Sequence, residues 1–132
     1  MSFRSLWPAL LWAVFIMIIC GIPGQKIPRL EFLDWLKPDK LVHIFVFGVL
    51  SYLLIRGFVK IPEASFFATY PRLSAVLLTI AYGALIEVLQ EYIFVDRTGD
   101  VRDAMADAIG ALAGMWTFDY FQKKKSSRHS SS

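Results

Sequence analysis

His43, Glu87, Asp103 and Asp107 each interrupt a run of apolar residues, and any chemistry in this sequence has to be sought there first. An imidazole with several carboxylates can hold a divalent metal ion, which would activate a water or a phosphate oxygen. On that reading His43, Glu87 and Asp103 are the catalytic and metal-ligand candidates. Without a metal, a buried Glu87 is suited to act as a general acid or base. Two other uses of the same groups stay open. They can line a polar ligand-binding cleft. They can also form an internal network of ion pairs with Lys40, Arg97 and Arg102 that only holds helices together, and for His43 the plain alternative is a hydrogen-bonded histidine inside a bundle.

Helical spacing groups these residues into three stripes. Asp39, Lys40 and His43 share the opening turn of one apolar segment. Gly83, Glu87, Gln90 and Glu91 fall on one face of a second, and Asp103, Asp107, Gly110 and Gly114 on one face of a third, by the rule that positions three and four apart are neighbours. Small residues on the last stripe let another helix approach closely, so that face should point into the protein.

The elements that must carry these stripes are long and apolar. Residues 5–25 contain no charge, and at ~1.5 Å per residue they cover a hydrocarbon core of ~30 Å. Trp7 and Trp12 suit the interface, and Pro8 suits a first helical turn. A second span is expected over about 39–58, with Asp39 as its N-terminal cap and Lys40 and Arg56 reaching the interfaces. A third is expected over about 73–95 and a fourth over about 101–121. Residues 25–38 mix Leu30, Phe32, Leu33, Trp35 and Leu36 with Glu31 and Asp34, the pattern of a short interfacial helix or a loop packed on the bundle end. Pro62 and Pro71 break the connector between the second and third spans. The fold class expected is therefore all-α, an integral membrane bundle of four transmembrane helices with a short interfacial segment between the first and second.

Composition agrees with lipid as the solvent. Hydrophobic residues make up 56% of the 132 and charged residues 19%, and mean hydropathy is +0.51. A soluble domain usually carries about 45–50% apolar and about 25% charged residues. The basic pI of about 9.1 comes from the tail, where Lys123, Lys124, Lys125 and Arg128 cluster; the rest holds ten basic residues against eleven acidic. That distribution excludes a nucleic-acid-binding face. Residues 122–132 are expected to be a disordered cytoplasmic tail with weak attraction to anionic lipid. Cys20 is the one cysteine, so an internal disulfide is excluded, and a buried inert thiol is expected. The first span lacks a small-residue cleavage site and is read as a helix rather than a removed signal.

Four spans put both termini on one side. Basic residues lean toward that side, which favours cytoplasmic termini. Nine of the eleven acids, namely Glu31, Asp34, Asp39, Glu87, Glu91, Asp96, Asp100, Asp103 and Asp107, fall on the other side. Acids contribute little to topology, so their clustering calls for another explanation.

Asp39-Lys40-x-x-His43 followed by Phe47, then Glu87-x-x-Gln90, Arg97, Asp103 and Gly110-x-x-x-Gly114, resembles the VanZ-like family over about residues 38–118. The resemblance implies a small bacterial multi-helix membrane protein of the cell envelope, in a family named for a glycopeptide-resistance protein linked to teicoplanin tolerance. It implies a VanZ-like transmembrane domain over residues 1–121. It also marks Asp39, Lys40, His43, Glu87, Gln90, Arg97 and Asp103 as binding positions, to which helical spacing adds Asp107. The family often has Asn where this chain has Asp107. The expected partners are membrane lipid and a lipid-linked cell-wall precursor or a glycopeptide. The expected location is the bacterial inner membrane, multi-pass, with the polar cluster on its extracytoplasmic side. A membrane enzyme acting on a lipid or cell-wall precursor, with a divalent metal, is the second functional expectation, and a structural protein held by its polar network is the third.

Overall fold

A computed structural model describes residues 3–22, 38–62, 65–95 and 98–131. A 3₁₀ turn, Phe3–Leu6, leads into α1, Trp7–Gly21. Then come α2, Pro38–Phe58; a single turn α3, Phe66–Thr69; α4, Pro71–Tyr92; and α5, Val101–Ser130. Every described element is helical. Pro8 and Pro71 each sit in a first helical turn, where the missing N–H has no intrahelical partner to lose. Ile22 ends α1 in an extended conformation, as expected for a residue that precedes proline. The Ser65 side chain caps α3 by accepting from the Ala68 N–H.

The four long helices alternate in direction. At one end Ser5 Oγ donates to the Gly57 carbonyl. At the other end the Gln90 amide donates to the Cys20 carbonyl. So α1 and α4 run one way, α2 and α5 the other. Two apolar clusters fill the interior. Ala9, Ile16, Cys20, Val46, Phe47, Leu50 and Ile86 join α1, α2 and α4, while Ile55, Phe58, Ile61, Ala75 and Phe118 close the far end. Cys20 is buried there, as its surroundings in sequence lead one to expect.

Helix α5 meets α2 without intervening side chains. A Cβ on Gly110 would lie 2.5 Å from the Ile44 carbonyl oxygen, and one on Gly48 would lie 3.1 Å from the Gly110 carbonyl oxygen. A Cβ on Gly114 would overlap the Gly48 carbonyl oxygen. Ser51 fastens the seam with a 2.8 Å hydrogen bond to the Ala111 carbonyl. Such backbone contact is how helices associate where apolar side chains gain little by leaving the solvent.

The outer faces are apolar. Leu10, Leu11, Val14 and Ile18 on α1, Phe45 on α2, and Leu77 and Val88 on α4 are all more than half exposed. Contiguous exposed apolar surface of this kind marks a membrane or interaction surface. Among the described residues, three helices are long and apolar enough to cross a membrane: Arg4–Gly21, Lys40–Phe58 and Pro71–Tyr92. The expected fourth span, α5, is not among them. It carries Asp103, Asp107 and Asp119 and a glycine-rich face, all of which lower its hydropathy.

Three further differences from the sequence reading have physical causes. The helix continues through Ser130, where composition alone leads one to expect a disordered tail. Residues 122–130 contain no Gly or Pro, propagation from a packed helix is cheap, and Lys and Arg near a C-terminus complement the helix dipole. Next, α2 begins at Pro38, so Asp39 lies within its first turn rather than ahead of it as a cap. Finally, α4 closes at Tyr92 instead of about residue 95. The expected interfacial segment falls almost wholly on residues 23–37, outside the described residues.

Replacing Gly114 by Leu should lower the thermal unfolding midpoint of the detergent-solubilised protein, at a cost of ~2 kcal/mol or more. Met105→Leu, at a position 62% exposed, serves as the control and should change stability by under ~0.5 kcal/mol. Equal midpoints for the two variants would show that the α2–α5 contact is not tight.

Candidate functional site

The glycine seam between α2 and α5 brings their first turns side by side. Lys40 and His43, one turn apart on α2, face Asp103 and Asp107, one turn apart on α5. Lys40 Nζ donates to Asp103 Oδ1 at 2.8 Å and to Asp100 Oδ2 at 3.5 Å. His43 Nδ1 lies 2.7 Å from Asp107 Oδ1. With Asp107 ionised, its carboxylate accepts from Nδ1–H; Nε2 faces Asp103, whose Oδ2 is 3.8 Å away. Phe47, one turn further along α2, lies parallel to the imidazole with ring centroids 6.0 Å apart.

Helix α4 supplies the third side. Glu87 is 92% buried, being 8% exposed. Its Oε2 accepts from the Asp100 backbone N–H at 2.8 Å, while its Oε1 is buried without a hydrogen-bond partner. One ligand atom each from His43, Glu87 and Asp103 lies within 4.8 Å of the other two. The three catalytic and metal candidates read from the sequence therefore converge on one point from three different helices. Gly83, one turn before Glu87, makes room for Asp107: a Cβ there would sit 2.6 Å from Asp107 Oδ2. That oxygen is also buried without a hydrogen-bond partner.

The α4–α5 connector is pinned over the cluster. Glu91 accepts from the Gly99 N–H at 2.8 Å, next to the Glu87–Asp100 bond. Gly99 lies so close to α4 that a Cβ would come within 2.7 Å of the Glu87 carbonyl oxygen. Asp100 then caps α5, accepting from the Arg102 N–H at 2.8 Å. That N–H, with Lys40 adding to it, holds the Asp100 carboxyl below its ordinary value of 3.8.

The remaining expected site residues divide. Gln90 is buried but is occupied elsewhere, tying α4 to α1 through the Cys20 carbonyl. Glu91 points outward and serves the connector. Arg102, expected to pair with the acids, is exposed on α5 and forms no ion pair among the described residues. Lys40 does the pairing. Arg97 and the Asp39 side chain lie outside the described residues. The sequence reading missed three participants: Asp100 as cap and partner of Lys40, Gly83 as the space for Asp107, and Gly48 as the α2 half of the seam. Gly83 stood on the flagged stripe, and Gly48 lies one turn and a residue past His43, so both carried a signal.

A chain that is all-helical over its described residues, with three helices there fit to cross a membrane and the buried charged groups gathered at one end, is the class that this fold and cluster define. The VanZ/LLP1 family model matches residues 3–122, and the chain belongs to that family. No curated protein and no solved structure matches it.

Because the Asp100 pKa is depressed in the folded protein, its contribution to stability is present above the ordinary carboxylate value of 3.8 and disappears as pH falls through the lower folded value. Asn still caps a helix but carries no charge. The advantage of the native protein over Asp100→Asn in unfolding midpoint should therefore be constant above about pH 5 and vanish in stronger acid. An advantage that persists undiminished down to about pH 2 would show that the carboxylate charge is irrelevant.

Proposed function

We propose that this VanZ/LLP1 protein is a cell-envelope accessory protein of the bacterial inner membrane. In this reading it crosses the membrane four times with both termini in the cytoplasm. Its polar cluster faces the extracytoplasmic side, where it binds a lipid-linked cell-wall precursor or a glycopeptide-like molecule and confers tolerance to glycopeptides of the teicoplanin type. The observation that carries a binding role is the convergence of His43, Glu87 and Asp103 from three helices, with Lys40 and Asp100 partly exposed beside them. Ionisable groups inside a membrane protein cost several kcal/mol and are seldom kept without a pathway, a partner or a ligand to serve.

Support for the fourth span comes from packing rather than hydropathy. Helix α5 lies along α2 from Asp103 beside Lys40 to Phe118 beside Ile55 and Phe58. The charges that lower its hydropathy are accounted for: Asp103 and Asp107 face the protein, and Asp119 accepts from Arg72 at 2.6 Å near the far end. Four spans make the cluster end opposite to the termini, and the basic residues of 123–128 favour cytoplasmic termini by the positive-inside rule.

A second reading, a membrane enzyme acting on a lipid or cell-wall precursor, is favoured by Glu87. A nearly buried carboxylate with one unpartnered oxygen has the setting of a general base.

Expression in a glycopeptide-sensitive host should raise teicoplanin tolerance. His43→Gln and Glu87→Gln should return it to the empty-vector level while the purified variants keep native helicity and elution volume. Tolerance unchanged in both variants would leave the cluster a structural role only. A reporter fused after Ser132 should be active in the cytoplasm; periplasmic activity would invert the assigned faces.

A further inference from the structure

We infer that His43, Glu87 and Asp103 bind a divalent first-row transition-metal cation, with Asp107 positioning His43 for it. The inference concerns the same cluster as the functional reading but does not require that reading's ligand. Four observations converge on it, and the first is geometric. Donor atoms from α2, α4 and α5 lie within 4.8 Å of one another. His43 Nε2 and Asp103 Oδ2, at 3.8 Å, are farther apart than a hydrogen bond allows. Donors at ~2.0–2.2 Å from a shared tetrahedral ion lie about 3.3–3.6 Å apart, so the His43–Asp103 pair is within about half an ångström of that spacing and the widest pair of the three has at most about 1.5 Å to close.

The second observation is the unsatisfied oxygen. Glu87 is nine-tenths buried, one of its oxygens is taken by the Asp100 N–H, and the other has no hydrogen-bond partner. A buried carboxylate oxygen left alone forfeits its hydration without return, and coordination to a cation restores it. The third is the pairing behind the histidine. Asp107 holds Nδ1 at 2.7 Å, the carboxylate–histidine arrangement that fixes the ring and raises the basicity of the nitrogen facing a metal. The parallel Phe47 ring supports the same orientation.

Charge is the fourth. Glu87, Asp103 and Asp107 are all buried, and Lys40 is the one cation in contact with them among the described residues. Among the described residues the buried carboxylates outnumber the ammonium beside them, and a dication would offset that excess. Burial of unpaired charge is among the most expensive features a fold can carry. The donor set decides the class of ion: an imidazole with two carboxylates suits zinc, manganese or iron, whereas calcium and magnesium favour oxygen alone. Lys40 occupies Oδ1 of Asp103 and leaves Oδ2 on the side of His43.

The experiment uses the full chain in detergent, stripped with chelator and titrated with zinc chloride by calorimetry, with cobalt(II) absorption as the second readout. The expected result is saturable zinc binding and visible cobalt bands for the native protein. Glu87→Gln and His43→Gln should abolish both while keeping the native unfolding midpoint in chelator. Asp107→Asn, which still accepts from Nδ1, should bind about 10–100-fold more weakly and shift the cobalt spectrum, as expected of a residue acting through the ligand. A native protein without affinity for zinc or cobalt, or Glu87→Gln and His43→Gln variants that bind as well as the native protein, would overturn the inference. Zinc binding without teicoplanin tolerance would uphold the cation site and count against the functional reading alone. Tolerance conferred by a protein with no cation affinity would do the reverse.

Discussion

Gly48, Gly110 and Gly114 let the backbones of α2 and α5 touch, and the rest of the polar end depends on that distance. A single Cβ on Gly110 or Gly114 would run into a carbonyl of α2 and push the helices apart. The bonds from Lys40 to Asp103 and from His43 to Asp107, at 2.8 and 2.7 Å, could not then form at their present lengths. Association through small residues is gained by dispersion and close polar contact, since aliphatic side chains are already at home in lipid. The seam thus serves two purposes at once. It holds α5, the least apolar of the long helices, and it sets the spacing at which imidazole and carboxylates meet.

Around that seam the polar groups follow a consistent rule: each is placed where a neighbour meets at least one of its needs. Lys40 balances Asp103 and Asp100; Asp107 holds His43; backbone N–H groups of the connector satisfy Glu87 and Glu91. The exceptions in the cluster are one oxygen of Glu87 and one of Asp107; the Ser74 and Thr79 hydroxyls, elsewhere on α4, are also buried without a partner. In a native fold, unsatisfied buried oxygens are few and usually have a reason. The two carboxylate oxygens share one cluster, and a charged group left without a partner costs more than a hydroxyl, so function is sought there.

Much of this was legible in the sequence because helical spacing is simple arithmetic. Asp103, Asp107, Gly110 and Gly114 share a stripe in any α-helix, and glycines on that stripe announce close packing. His43, Glu87 and Asp103 could be named for the same reason: ionisable residues in apolar runs are too costly to be incidental. Spacing does not reveal the rotation of one helix against another, however. That is why it offered Lys40, Arg97 and Arg102 alike as partners of the acids, although Arg102 is exposed and Lys40 makes the pairs, and why it did not show Gln90 spending its amide on Cys20. Hydropathy also counts the acids of α5 as if they stood alone, whereas Asp103 and Asp107 are buried against partners on other helices. The helical course of residues 122–130 was missed because composition describes a segment as if it stood alone, whereas this one continues a helix already formed.

The two halves of the cluster are far apart in the chain. Lys40 and His43 are separated from Asp103 and Asp107 by more than 60 residues. Synthesis runs from the N-terminus, so α2 is complete well before its partners exist. During that interval the imidazole and ammonium of α2 have no carboxylate from α5 to meet, and the burial cost of Glu87 falls on α4 alone. The short connector held by Glu87 and Glu91 makes α4 and α5 a local hairpin whose own hydrogen bonds need no other helix. The cluster is therefore closed late in synthesis, since its α2 groups precede the α5 carboxylates that hold them.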